Sequence, residues 1–188
     1  MTARLLSELV EDQNNMRKLL AILERQRDIF TAGGHPDWDL LEDIAEYCLD
    51  YPDRYHHPKE DLVFQKIRER NAERAKGAGN FIAQHAKLGA EAQAFAKALK
   101  AIRLEAEVPR ERLTALLFDF VETYRTHMAM EEEFFFPAAD MTLTAADWHT
   151  IRAEAARFDP LFGDETHDRF RNLRAEILEW DRLNVATS

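Results

Sequence analysis

Apolar residues recur at steps of three and four along almost the whole chain, without the single alternation of a strand, so the pattern predicts helices and no sheet. The first stripe, Leu6, Leu9, Gln13, Met16, Leu20 and Leu23, predicts a helix from Ala3 to Phe30, ended by Gly33, Gly34 and Pro36. A second helix is expected from Asp37 or Trp38 to Arg70, kinked or broken by Pro52 and Pro58, with His56, Glu60, Val63 and Ile67 on its inner face. A third, from Ala72 to Glu105 and weakened at Gly77 and Gly79, carries Phe81, His85, Leu88, Ala92, Phe95, Leu99 and Ile102. The fourth, from Pro109 to Ala139, carries Leu113, Leu117, Phe120, Tyr124, His127, Glu131, Phe134 and Ala138, with Pro137 distorting its last turn. Thr144 with Asp147 signals the cap of a shorter helix to Arg157, and a turn at Asp159, Pro160 and Gly163 precedes a last helix ending near Leu183.

Four long helices with short connections predict an all-α fold, an antiparallel up-down four-helix bundle with two additional C-terminal helices. At 188 residues one domain is expected, residues 1–140 forming the bundle and 141–188 a helical extension packed on it.

The polar residues on these stripes carry the chemistry. His56 with Glu60 and His127 with Glu131 repeat the spacing His-x-x-x-Glu, which places both side chains of each pair on one helix face. Heights along the helices also agree. At 1.5 Å per residue, Gln13 lies about 17 residues before the first turn and His56 and Glu60 about 17 to 21 after it. His56 and Glu60 lie about 10 to 14 residues before the next turn and His85 about 13 beyond it. His85 is about 19 before the third turn, with His127 and Glu131 about 17 to 21 after it. One layer is therefore expected to collect Gln13, His56, Glu60, His85, His127 and Glu131.

Buried imidazoles and carboxylates are costly unless paired or bound to metal, and these stripes offer no basic side chain as a partner. Carboxylates from opposite helices can bridge two ions while imidazoles bind terminally. Mixed nitrogen and oxygen donors without thiolate favour iron or manganese over structural zinc. His57 is an alternative ligand, but successive helical residues point about 100° apart, which counts against its sharing the face of His56. His35, His149 and His167 fall away from this layer, and Glu132 and Glu133 follow a ligand but face elsewhere.

A net charge of −10 spread through the chain argues against nucleic acid and anionic membranes as partners. No apolar run approaches a membrane span, and the N-terminus lacks the basic and apolar regions of a signal peptide, so none is expected. The single cysteine, Cys48, excludes an internal disulfide framework and fits a reducing compartment, so a cytoplasmic location is expected.

Gln13-Asn-Asn-Met16, Tyr55-His-His-Pro-Lys-Glu60-Asp, Gln84-His85 and His127-Met-Ala-Met-Glu131-Glu-Glu together resemble the hemerythrin-like HHE cation-binding domain, over about residues 1–140. The tail around Asp159-Pro-Leu-Phe-Gly163 is also similar to bacterial members of that family. The resemblance implies a non-haem di-iron centre with an open position for dioxygen or a related small ligand. It implies His56, His85 and His127 as terminal ligands and Glu60 and Glu131 as bridges.

Gln13 departs from the pattern, which has a first-helix histidine there. An amide offers only a carbonyl oxygen, a weaker donor, so the iron nearer His56 is expected to be held less tightly or lost, leaving one ion. Manganese or zinc are alternatives to iron. The expected function is binding or sensing of dioxygen, nitric oxide or peroxide. The alternatives are an oxidoreductase consuming peroxide or nitric oxide, and a metal-poor structural or interaction protein. A homodimer through the late helices stays open.

Overall fold

The computed structural model describes residues 3–104, 107–156 and 163–185, and all regular structure among them is helical. α1 (Ala3–Thr31) ends at Gly33, whose φ of 90° suits glycine. There the Gly34 amide bonds to the Ile29 carbonyl and the Gly33 amide to the Phe30 carbonyl, closing the helix in a Schellman arrangement. α2 (Trp38–Tyr51) opens on Asp37, whose carboxylate accepts from the Leu40 amide at 3.0 Å.

The prolines widen the helices where the sequence predicts kinks. Pro52–His56 forms a π-helical turn joining α2 directly to α3 (His57–Arg70). Pro58 has no amide proton to give the Arg54 carbonyl, and its ring crowds that carbonyl; the turn loosens, with the His57 amide bonding to Pro52 instead. The device recurs in α6 (Arg110–Met130), which continues through a π-helical turn at Glu131–Phe135 into α7 (Phe136–Thr142). Pro137 stands four residues after Glu133, inside that turn. The extra residue shifts the stripe: Phe134, expected in the core, is 42% exposed, and Phe135 takes its place at 1%.

The third predicted helix starts later than expected. Asn71 leaves helical geometry, α4 (Ala72–Ala75) and a 3₁₀ turn at Lys76–Ala78 follow, and Gly79 at φ 64° stops the helix. α5 (Phe81–Arg103) begins only after Asn80, which caps the Ala83 amide. His85 thus sits in the second turn of its helix, and the equal heights counted across that connection do not hold. α8 (Ala145–Ala155) begins with the expected reciprocal cap of Thr144 and Asp147. α9 (Gly163–Val185) is the last helix among the described residues, and the Asp159–Phe162 part of the tail resemblance lies outside them.

Two apolar clusters lie on either side of the polar layer. One holds Met16 to Leu23, Leu40 to Tyr55, Leu88 to Leu99, Leu113 to Met128 and Phe170; the other holds Leu5, Leu9, Val63, Ile67, Phe81, Phe135 and Trp148. α1 packs against α2 and α6, and α5 against α2 and α6. α8 covers α3 through Trp148 and Ile151, with Arg70 bound to Asp147 at 2.7 Å, while α9 lies on α2 and α1. Among the described residues, no helix is long and apolar enough to cross a membrane.

Candidate metal centre

Four helical runs, α1, α2 into α3, α5 and α6 into α7, pass through the layer between the two clusters and contribute polar side chains there. Gln13 comes from α1, His56, His57 and Glu60 from the widened turn and the start of α3, His85 from α5, and His127 and Glu131 from the end of α6 and its π turn. All seven are buried, Glu60 and Glu131 completely.

The donor atoms fall into two groups, each with its atoms within 4.8 Å of one another: His57, Glu60, His85 and His127, and His56, Glu60 and Glu131. Glu60 is common to both. His56 Nε2 lies 3.0 Å from Glu60 Oε1, His85 Nε2 3.4 Å from Glu60 Oε2, and His127 Nε2 2.8 Å from Glu131 Oε1. The structure thus brings together every residue that the stripes place in the layer.

It also brings in His57, which helical geometry counted against. The π turn lets consecutive residues 56 and 57 both reach the interior, and the His57 ring stacks on His85 at 3.9 Å and 10°.

The four imidazoles share one orientation: each turns Nδ1 outward to an oxygen and Nε2 toward the layer. Asp12 bonds to His56 at 3.4 Å, Asp53 to His57 at 2.9 Å and Gln84 to His127 at 3.0 Å, while Asp61 lies 3.1 Å from His85 Nδ1 as an ion-pair contact. Such partners orient each ring and, in its neutral form, leave Nε2 as the atom that can bind a metal. The sequence pattern does not mark most of these oxygens as partners. Asp53 was within reach, because it stands four residues before His57 on the same face. The other three pair across helices, which spacing does not reveal.

Burial and the neighbouring carboxylates set the protonation of the layer. Burial would lower the His56 pKa, but Glu60 and Asp12 raise it well above the ordinary imidazole value. For His85, too, burial is outweighed by Asp61 and Glu60, and its pKa is pushed up to about 9. His57 goes the other way: burial, only partly offset by Asp53, takes it down to about 4, so its ring is neutral at pH 7. Burial would raise Glu60, but His56 and its neighbours hold it low, whereas burial and the charge of Glu60 raise Glu131. The layer therefore holds protons that a divalent ion would displace.

Whether the residues suit a metal is decided by their unmet bonds. Gln13 Oε1, His57 Nε2, both Glu60 oxygens, His85 Nε2, His127 Nε2 and Glu131 Oε1 are buried without a hydrogen-bond partner. Orphaned polar atoms are few in a folded protein and costly. Glu91 Oε2, Thr142 Oγ1 and Trp148 Nε1 are orphaned elsewhere, but the atoms of the layer converge as ligands around bound ions would, so the residues fit. Gln13 donates its amide to Glu131 Oε2 and leaves its own carbonyl oxygen unmatched. Glu132 is exposed and paired with Arg17 at 2.5 Å, and His35 and His149 are exposed, all away from the layer.

A family model described as the Hemerythrin HHE cation binding domain matches residues 4–139. No curated protein and no solved structure was found to match the chain.

Proposed function

Because the chain belongs to the Hemerythrin HHE cation-binding family, we propose that its layer holds iron and that the iron binds dioxygen or a related small ligand, nitric oxide or peroxide. One observation carries the reading: nitrogen and carboxylate atoms without hydrogen bonds, buried and convergent, with Glu60 common to two groups. The order in which the runs cross the layer supports an up-down four-helix bundle for residues 1–140: α1 and α5 pass from the Trp148 cluster toward the Phe170 cluster, α2 into α3 and α6 into α7 in reverse.

His57, Glu60, His85 and His127 would hold one ion. His56, Glu60 and Glu131 would hold a second, with the Gln13 oxygen as the weaker additional donor. Bound iron supplies an open coordination position and one-electron exchange. The chain supplies the rest. The outward carboxylates and Gln84 orient the rings, and Leu9, Met16, Phe81 and Met128, all buried, screen the layer from bulk water.

Elemental analysis and absorbance on aerobic addition of ferrous iron test this reading. One to two irons per chain and a charge-transfer band that disappears when oxygen is removed support it. A protein that takes up no stoichiometric metal contradicts it.

A further inference from the structure

Tyr51 stands one carboxylate away from the metal layer. Its hydroxyl donates to Asp12 Oδ1 at 2.9 Å, and the other Asp12 oxygen lies 3.4 Å from His56 Nδ1. Phenol, carboxylate and imidazole thus form a line whose inner end, His56 Nε2, faces Glu60.

The same phenol belongs to an aromatic ladder. Tyr47 stacks on it at 4.9 Å and 19°, Tyr55 lies tilted at 5.5 Å, and Phe170 meets Tyr47, Tyr51 and Tyr55 at 6.0, 5.9 and 6.2 Å. All three tyrosines are buried. A narrow crevice lined by Asp12, Gln13, Tyr47, Tyr51, His56 and Tyr124 joins the ladder to the layer.

Oxidised phenol is a very strong acid, so a buried tyrosine gives up an electron readily only if its proton can leave at the same time. Asp12 already accepts that proton's hydrogen bond, and the stacked rings can share the resulting radical.

We propose that Tyr51 is a redox-active residue that donates one electron to peroxide reduced at the metal layer. In each event the Tyr51 O–H bond breaks, the electron passes inward toward His56 and the proton moves to Asp12 Oδ1. Peroxide accepts two electrons, one from Tyr51 and one from the ferrous iron that the layer would hold, and its O–O bond breaks; the Tyr51 proton, released from Asp12, turns one oxygen into water and the other leaves as hydroxide. One Tyr51 phenol, one ferrous ion and one hydrogen peroxide thus give one tyrosyl radical, one ferric ion, one hydroxide and one water molecule.

The proposal rests on the metal reading above, and the experiment separates the two. Protein loaded with iron, its content verified by elemental analysis, is mixed with hydrogen peroxide and frozen for electron paramagnetic resonance, with and without ring-deuterated tyrosine. We expect an organic radical whose splitting narrows with the label and which is lost in Tyr51→Phe at equal iron content. In the unaltered protein, a nitroso spin trap and peptide mapping should place the adduct on Tyr51 or its stacked neighbour Tyr47. If iron is bound but no tyrosyl radical forms, if it persists in Tyr51→Phe, or if the adduct falls elsewhere, the donor role is wrong and the metal reading stands. If no iron is bound, the metal reading fails and the donor role falls with it.

Discussion

His57→Ala is the sharpest test of the centre, because helical spacing counted against this residue and a π turn brought it in. The substitution takes one nitrogen from the group of His57, Glu60, His85 and His127 and leaves His56, Glu60 and Glu131 intact. Losing an outer partner of a ligating histidine costs about 10- to 100-fold in metal affinity, so losing the imidazole should cost more than about 100-fold, or about 2.8 kcal/mol. Asp53→Asn, which removes only the 2.9 Å contact to Nδ1, should fall within the smaller range. The metal-free protein gives a second readout. With its folded pKa lowered from 6.5 to about 4, His57 contributes stability that is present above its unfolded pKa and lost as pH falls to about 4. A shift of that size bounds the contribution at about 3 kcal/mol. The alanine variant leaves a cavity and is less stable at neutral pH, but its stability should fall less between those two pH values. Anaerobic titration of ferrous iron against a competing chelator measures the first effect, and denaturant unfolding the second. An affinity within about tenfold of the unaltered protein, below what even an outer partner is worth, would refute the assignment of His57.

Gln13→His places an imidazole where an orphaned amide oxygen now lies and should raise the iron content toward two per chain; two tightly bound irons already in the unaltered protein would contradict the idea of a weakened site. Glu60→Gln removes the carboxylate common to both groups and should abolish uptake of both ions, whereas Glu132→Gln on the exposed pair with Arg17 should leave metal content unchanged. Metal binding must displace the proton held on His85, so affinity should weaken as pH falls below about 9, by up to about tenfold per unit for each displaced proton. Chelator competition across pH checks this, and a flat profile would contradict it. Phe81→Ala removes a fully buried ring that lies edge-on to His85 at 4.5 Å and stacks on Phe64 at 5.0 Å. It should cost about 3 to 5 kcal/mol of stability in denaturant unfolding of the metal-free protein.

Much of this protein is legible in its sequence, because a period of three and four residues reports which side of a helix is buried. The stripes identify the helices, most of their ends and six residues of the layer. The cap of Thr144 and Asp147 follows from local chemistry alone, as does the stop at Gly33. Spacing fails where the backbone leaves α-helical geometry. Pro58 and Pro137 are visible in the sequence, but whether a proline breaks a helix or widens it depends on how firmly packing holds the segments on either side. Here packing holds both, so the turns at Pro52–His56 and Glu131–Phe135 absorb an extra residue, His57 joins His56 inside, and Phe135 replaces Phe134 in the core. Glycine at φ 64° likewise shortens α5 and moves His85 toward its start. The sequence by itself determined which side chains are polar on an apolar face. Only the tertiary structure decided how they share Glu60, and that Asp12, Asp61 and Gln84 on other helices turn His56, His85 and His127 inward, because those contacts join residues far apart in the chain.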